Sequence, residues 1–363
     1  MAKEMGNDTI QYNPTIEMRE GEELDLNRLD EVLKGVFSDL DGTPMVRQYS
    51  SGKSNLTYLI TYRNRELVLR RPPPGIKAAS AHSMIREYKI LRLLGDAFPA
   101  IPKVNFYSDD DSLLGSEFYL MDKVEGVLVK DSFPVEWGFG QSDRKRFCRS
   151  VFDKLIELHL VDYESAGLKD FGKPDGYGER QILGWNRRYV AALTPDVPDF
   201  REVREWLETN IPDNAAYKSI LHGDFRIDNV MVSAKNPFSV VAVLDWEMAA
   251  LGDPLMDLAN ALAYWFHSDD PPELFAMKNQ PSDVDGMMRR EAILDYYSGK
   301  TGFSTQNWPF YEIYGYFRLV VIAQQLYFRF VSKQTKDPRF ARYGEVVVHM
   351  GRYCQKLIER SAL

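Results

Sequence analysis

Apolar residues change their spacing along the chain from strand-like to helical. Leu56, Tyr58, Ile60 and Tyr62 alternate with the residues between them, which predicts a strand. Residues 66–70 are predicted as a second strand that returns antiparallel to the first. Helical spacing precedes this pair over residues 25–36 and follows it over residues 82–94. The C-terminal part is mostly helical, apart from a short β insert. One predicted helix there is marked by Phe147, Val151, Leu155 and Leu158, and others are predicted over residues 177–193, 200–210, 254–267, 287–298, 311–333 and 343–360.

The change of spacing divides the chain into two lobes. We predict a flexible N-terminal arm over residues 1–23, a β-rich N-lobe over 24–121 and a mostly helical C-lobe over 128–363. The short polar segment 122–127 between the lobes is predicted as a hinge. The fold class predicted from this pattern is α+β.

The β insert in the C-lobe brings three polar residues together. β-Branched and apolar segments at 230–233 and 240–244 flank a turn-like stretch, which predicts a hairpin. Its centre places Asn229 opposite residue 244 and therefore beside Asp245. Two oxygen-bearing side chains at one strand end suit a hard cation such as Mg²⁺. Asp224 precedes Asn229 by five residues, the Asp-to-Asn spacing of the catalytic loop of protein kinases, and can face the same cavity.

Composition and charge narrow the range of partners. With 53 acidic and 45 basic residues the net charge is −8, so no nucleic-acid partner is expected. Cys148 and Cys354 are the only cysteines, which excludes a disulfide framework and a cysteine zinc site. No apolar run approaches the ~20 residues of a membrane helix, and the first residues lack a signal-peptide core. We therefore expect a cytoplasmic protein without a membrane partner.

A set of motifs around the hairpin carries a family resemblance. The set consists of His222-Gly223-Asp224 with Asn229, Leu-Asp-Trp-Glu at 244–247, Gly-Asp-Pro at 252–254 and Asp-Leu-Ala at 257–259. It resembles the aminoglycoside phosphotransferase family of kinase-like enzymes, which includes choline and homoserine kinase relatives. The segments 51–58 and 67–73 resemble in particular the kinase-like domain found fused to acyl-CoA dehydrogenases.

The resemblance implies a fold and a set of roles. The expected fold is the two-lobed protein-kinase-like one, with a small antiparallel-sheet N-lobe carrying one helix and a larger, mostly helical C-lobe. Asp224 is the expected catalytic base, and Asn229 and Asp245 are the expected Mg²⁺ ligands. His222 is expected to brace the catalytic loop, and Asp257 to fix it from behind.

The segment after residue 50 is the predicted phosphate-covering loop. It ends like a Walker A motif, but that motif needs a glycine where Arg47 stands, and a strand follows it instead of a helix. As a strand–turn–strand it resembles the nucleotide-covering loop of kinases, with Ser51, Gly52, Ser54 and Asn55 over the phosphates. An ordinary hairpin turn is the alternative when the loop is considered alone.

Kinases hold the ATP phosphates with a Lys on the next strand, paired with a helix Glu. Arg70 occupies that Lys position here, and Glu87 is its predicted partner, although the neighbouring Arg71 or a plain surface ion pair are alternatives. At the hinge, backbone groups around Met121 and Val124 are predicted to contact the nucleotide base.

The predicted reaction moves the γ-phosphoryl group of ATP or GTP to a hydroxyl of a small molecule. The subgroup resemblance implies a hydroxyacyl-CoA or a hydroxy acid as acceptor. The segment 181–189, with Trp185 and Arg188, would fit an anionic acceptor.

Three alternatives stay open. An aminoglycoside acceptor would need an acidic pocket, and choline would need an aromatic cage. Gly223 stands where choline kinases resemble each other in carrying Asn, and the aromatic spacing favours core packing. The third alternative is a non-catalytic module that binds a nucleotide or an acyl ligand. The sequence leaves the oligomeric state open.

Overall fold

A computed structural model describes residues 13–50, 55–73, 84–212 and 217–361 of the chain. In the N-lobe the described residues form one antiparallel sheet of six strands in the order β1-β2-β3-β4-β6-β5. These strands are β1 (Thr15–Ile16), β2 (Met45–Tyr49), β3 (Leu56–Thr61), β4 (Glu66–Arg71), β5 (Val104–Ser108) and β6 (Phe118–Asp122).

Helices cover the N-lobe sheet from both faces. Helix α1 (Leu26–Val36) begins at Asp25, whose side chain accepts hydrogen bonds from the backbone amides of Asn27 and Arg28, as an N-cap does. Its Leu29 and Leu33 are buried in one core cluster. Helix α2 (Met84–Leu94) belongs to the larger core cluster, and a short helix α3 (Asp111–Leu114) follows β5. Both helices predicted from the spacing over residues 25–36 and 82–94 are therefore present, whereas the resemblance implied a single N-lobe helix.

Alternation along β4 sends its two arginines to opposite faces. Leu67 and Leu69 belong to the core cluster that contains α1, whereas Val68 belongs to the cluster that contains α2. With a side-chain period of two, Arg70 shares the face of Val68, and Arg71 shares the face of Leu69. This register decides which arginine can reach the space between the lobes.

The N-terminal segment lies against the sheet where the structure describes it. Strand β1 pairs antiparallel with β2, and Nη2 of Arg71 donates to the carbonyl oxygens of Glu22 at 2.8 Å and Glu23 at 3.2 Å. Nδ2 of Asn13 donates to the carbonyl of Gly126 at 3.1 Å. Residues 13–23 are thus packed against the lobe, in contrast to the flexible arm predicted for this part.

Two small β units lie within the helical C-lobe. Strand β7 (Val127–Leu128) pairs with β9 (Val230–Val232), which forms the predicted hairpin with β10 (Val240–Val243). Strand β8 (Ser219–Leu221) pairs with β11 (Ala250–Gly252). The C-lobe helices are α4 (Gln141–His159), α5 (Tyr177–Ala191), α6 (Arg201–Thr209), α7 (Pro254–Ala263), α8 (Arg290–Thr301), α9 (Trp308–Val331) and α10 (Tyr343–Ser361).

The core positions the loop between β8 and β9. Every residue of α7 is buried, and α7 packs against α9, so this helix pair forms a fixed platform under residues 222–229. One core cluster continues from α2 and β6 of the N-lobe into these helices. In the described parts of the chain, no helix combines the length and apolarity that crossing a bilayer requires.

Candidate active site

The C-lobe hairpin places Asn229 beside Asp245, as its sequence predicts. Val230 pairs with Val243, and the amide of Leu244 donates to the carbonyl of Asn229 at 2.8 Å. The next residue, Asp245, has a φ of +68°, a conformation that side-chain-bearing residues rarely adopt. Such backbone strain occurs often at functional sites, where the surrounding structure maintains it.

Asn229 also contacts the predicted catalytic base. Its Nδ2 donates to the carbonyl oxygen of Asp224 at 2.9 Å and lies 3.3 Å from the Oδ2 of the same residue. Because the amide nitrogen is directed at Asp224, Oδ1 is the end of the Asn229 side chain that can bind a cation. The predicted base and one predicted metal ligand are therefore coupled directly.

Asp257, at the start of α7, holds the loop that carries Asp224. Its two carboxylate oxygens accept hydrogen bonds from the backbone amides of His222, at 2.7 Å, and of Gly223, at 2.9 Å. Nε2 of His159 lies 3.2 Å from the same carboxylate. Burial alone would raise the pKa of Asp257, but the interactions with His159 and the backbone hydrogen bond from His222 together lower that pKa. The predicted supporting position of Asp257 is where the structure places it.

His222 braces the loop through both of its ring nitrogens. Its Nε2 lies 2.9 Å from the carbonyl oxygen of Leu244, and its Nδ1 accepts a hydrogen bond from the backbone amide of Asp224 at 3.2 Å. His222 thereby ties the loop to the segment that carries Asp245.

Gly223 is the glycine that the loop requires. Its φ is +82°, and a Cβ at this position would lie 2.6 Å from the carbonyl oxygen of Met248. Nη2 of Arg318, on α9, donates to the carbonyl oxygen of Gly223 at 2.9 Å. Sequence spacing gave no sign of Arg318, which lies 95 positions away along the chain.

Arg70 reaches the space between the lobes from the N-lobe side. Its Nη2 lies 3.3 Å from Oε1 of Glu87 and 3.1 Å from Oδ1 of Asp245. Burial raises the pKa of Glu87, and the charge of Arg70 opposes that rise. The predicted Arg70–Glu87 pair is present, and Arg71 lies on the opposite face of the sheet.

A cleft of about 550 Å³ lies between the lobes. The predicted residues that line it are Asn55, Arg70, Glu87, Met121, Val124, Asp224, Asn229 and Asp245. Nδ2 of Asn55 donates to Oε2 of Glu247 at 3.1 Å and so joins the two lobes across the cleft. Ser51, Gly52 and Ser54 of the predicted phosphate loop lie outside the described residues.

The donor set in the cleft fits Mg²⁺. Within the described part of the chain, no group of three or more His, Cys, Asp or Glu side chains could hold a metal ion by itself. Asn229 and Asp245 offer one amide oxygen and one carboxylate. Mg²⁺ commonly binds one or two carboxylates and completes its octahedron with waters and substrate phosphates. A site with few protein ligands is therefore what a nucleotide-bound Mg²⁺ needs.

Arg226 and Asp228 are cleft residues that the sequence reasoning missed. Nη2 of Arg226 lies 3.4 Å from Oδ2 of Asp224, and its Nε lies 3.0 Å from Oδ1 of Asp228. Burial raises the pKa of Asp228 to about 6 against the opposing charge of Arg226. The available signal was the run Asp-Phe-Arg-Ile-Asp-Asn, in which charged residues alternate with apolar ones directly after the predicted base.

The predicted acceptor residues Trp185 and Arg188 are not part of the cleft lining. Trp185 is 6% exposed and packs beneath the guanidinium of Arg318, at 5.4 Å. Arg188 is exposed and lies over the outer side of the Trp185 ring, at 4.6 Å. Trp185 therefore packs under the loop and Arg188 faces solvent, and the contact of this pair with the acceptor stays a prediction.

Comparison with known proteins agrees with this geometry. The family model of the phosphotransferase enzyme family matches residues 46–292. The chain belongs to this family. It is 33% identical over 308 residues to acyl-CoA dehydrogenase family member 11 of Homo sapiens, which covers 84% of this chain and 38% of that protein. The chain thus spans about two fifths of the length of this curated relative, and the resemblance stated from the motifs is confirmed.

Solved structures of other proteins share the fold. A structure from Ralstonia eutropha, provisionally described as an aminoglycoside phosphotransferase, matches with a TM-score of 0.80 at 26% identity, over 93% of this chain and 99% of that one. Choline kinase of Cryptosporidium parvum matches with a TM-score of 0.61 at 13% identity, over 92% of this chain and 97% of that one. The predicted two-lobed, kinase-like α+β fold is confirmed. This phosphotransferase is an ATP-dependent small-molecule kinase.

Proposed function

We propose that this phosphotransferase uses Asp224 to activate a hydroxyl group of a small anionic acceptor, with MgATP bound in the cleft between the lobes. The observation that carries the proposal is the contact of Asn229 with both Asp224 and the Asp245 segment. This contact brings the carboxylate proposed to activate the acceptor hydroxyl close to the side chains proposed to bind the metal ion on the phosphates. Phosphoryl transfer needs these two groups close together.

In the proposed reaction Asp224 accepts the proton of the acceptor hydroxyl. The hydroxyl oxygen bonds to the γ-phosphorus as the bond from that phosphorus to the bridging oxygen breaks, and ADP leaves with the bonding electrons. Asn229 and Asp245 would hold Mg²⁺, which when bound supplies positive charge to the phosphate oxygens. Arg70, fixed by Glu87, binds the phosphates from the N-lobe side.

The nucleotide is proposed to run from the hinge to Asp224. Met121 and Val124 line the hinge end of the cleft and are proposed to contact adenine. Ser51, Gly52, Ser54 and Asn55 are proposed to cover the phosphates. The family and fold support ATP, and they give no support to GTP. We also propose that the N-lobe spans residues 24–121, that the hinge spans residues 122–127 and that the C-lobe begins at residue 128.

The acceptor is proposed to be a hydroxy acid or a hydroxyacyl-CoA. Lys130 and Arg226 line the cleft on the C-lobe side, and Lys130 forms no ion pair with a carboxylate among the described residues. Cations in the cleft lining favour an anion over an aminoglycoside or choline, both of which are cations. The curated relatives named as acyl-CoA dehydrogenase family members add support for an acyl compound. A cytoplasmic location belongs to the same proposal.

The test is a search for the phosphorylated product. Purified protein is incubated with MgATP and a mixture of hydroxyacyl-CoAs, hydroxy acids, choline and amino sugars, and the products are followed by mass spectrometry. We expect a phosphorylated hydroxy acid or hydroxyacyl-CoA with the wild type, and none with Asp224→Asn. Asp170→Asn is the matched control, because Asp170 is exposed and lies outside the cleft.

Two results would change this assignment. Phosphorylated choline or amino sugar would retain the kinase and replace the acceptor class. No difference between wild type and Asp224→Asn, with ATP binding intact in both, would favour the non-catalytic binding module.

A further inference from the structure

Arg226 is a fixed cation at the acceptor end of the cleft. Its side chain is 17% exposed, and its guanidinium lies 5.0 Å from the centre of the Tyr264 ring. Nη2 donates to Oδ2 of Asp228 at 3.2 Å and lies 3.4 Å from Oδ2 of Asp224. Nη1 has no hydrogen-bond partner among the residues that the structure describes.

A structural role alone explains this arrangement poorly. Asp228 would be enough to neutralise Arg226, and a half-exposed position would avoid the cost of desolvating the pair. Arg226 instead lines the cleft and approaches the carboxylate of Asp224, with one nitrogen still unused. A guanidinium with one edge held and free donors on the other is suited to bind phosphate oxygens.

Arg70 is the other arginine among the described residues of the cleft lining, and it belongs to the N-lobe. Arg70 is anchored to Glu87 and Asp245 on the N-lobe side of the cleft. During transfer, negative charge is spread over the three equatorial oxygens of the moving phosphoryl group. In the proposed reaction those oxygens come close to Asp224, and Arg226 is the cleft arginine beside that carboxylate.

We propose that Arg226 binds the transferring phosphoryl group and that Asp228 positions Arg226 for this contact. The inference rests on the proposed function. As the acceptor oxygen bonds to phosphorus and the bond to ADP breaks, the acceptor proton goes to Asp224, and Arg226 donates hydrogen bonds to the phosphoryl oxygens. Its longer contact with Asp224 is exchanged for the phosphoryl group, and its contact with Asp228 is kept.

The test measures recognition of the γ-phosphoryl group by binding, so it needs no knowledge of the acceptor. Dissociation constants for MgADP and for the Mg²⁺ complex of AMP-PNP are measured by calorimetry. For Arg226→Gln we expect the dissociation constant of AMP-PNP to rise about tenfold or more, as for a lost charge-assisted hydrogen bond. The dissociation constant of MgADP should stay within twofold of the wild-type value. Arg226→Lys should retain part of the preference for AMP-PNP, and Asp228→Asn should lose part of it.

Controls separate this role from folding and from the wider proposal. Arg187→Gln is the matched variant, since Arg187 is exposed on α5 and lies outside the cleft. Thermal unfolding of each variant shows that the fold is retained. Equal weakening of both nucleotides, or no weakening of either, would overturn the role of Arg226 and leave the kinase proposal standing. A wild type that binds neither nucleotide would overturn both.

Discussion

Arg318 donates a hydrogen bond from Nη2 to the carbonyl oxygen of Gly223, at 2.9 Å, and so ties helix α9 to the loop that carries Asp224. Arg318 is 5% exposed and forms no ion pair with a carboxylate among the described residues. A buried guanidinium without a carboxylate partner is costly. We infer that it is retained because it fixes the residue next to the proposed base.

Arg318→Met should therefore lower turnover more than nucleotide binding. The variant loses the donor to Gly223, so we expect kcat to fall about tenfold, as for a charged hydrogen bond, with the MgADP dissociation constant within threefold of wild type. Steady-state kinetics and calorimetry measure the two quantities. Arg318→Lys retains a charged donor and should recover part of kcat, whereas equal kcat in both variants would contradict the positioning role.

Only one of the adjacent arginines of β4 should affect nucleotide binding. Arg70→Ala removes a cation from the cleft and leaves the buried Glu87 without its partner, so MgADP binding should weaken about tenfold or more and stability should also fall. Arg71→Ala removes donors to the carbonyls of Glu22 and Leu114, so it should lower the free energy of unfolding by roughly 2–3 kcal/mol with little effect on binding. Calorimetry and urea unfolding test the pair. The reverse pattern would reassign the phosphate contact to Arg71.

Gly223→Ala should damage the protein far more than Gly21→Ala. Both glycines have a φ near +80°, but a Cβ on Gly223 would lie 2.6 Å from Met248 O, and a Cβ on Gly21 would meet nothing within 4 Å. The control should cost only the backbone penalty of about 1–2 kcal/mol. Unfolding free energies and turnover of both variants test this. Equal effects would mean that the loop can move away from Met248.

Asp257 should make stability depend on pH in the acid range. Its folded-state pKa is lowered below the ordinary value of 3.8, so the ionised form stabilises the fold. This contribution is complete above the unfolded pKa and is lost as pH falls through the lower folded value. Urea unfolding between pH 2 and 6 should show a steeper acid loss for wild type than for Asp257→Asn. Parallel curves would contradict the assignment.

Local pairing made the centre of the site predictable. The position of the turn in the hairpin was enough to place Asn229 beside Asp245, because antiparallel strands pair residue by residue. Alternation also required Arg70 and Arg71 to face opposite ways. It did not say which face meets the cleft, since that depends on whether α1 or α2 covers each side.

Long-range packing explains what sequence reasoning missed. The packing of the Trp185 ring under Arg318, which lies on a different helix, gave no periodic signal. Arg226 was overlooked because its contacts with Asp224 and Asp228 follow from the turn of the loop, not from a periodic pattern. The packing of residues 13–23 likewise depends on Arg71, which a local reading of a polar segment cannot include.

The two hydrogen bonds that Asp257 accepts from backbone amides have a consequence for the catalytic cycle. Because His222 and Gly223 are held by a buried carboxylate and not by the nucleotide, the conformational entropy of this loop is lost once, when the chain folds. Each turnover then begins with Asp224 already oriented, and binding free energy is not consumed in ordering it. On this basis the nucleotide-free and nucleotide-bound protein should share one loop conformation.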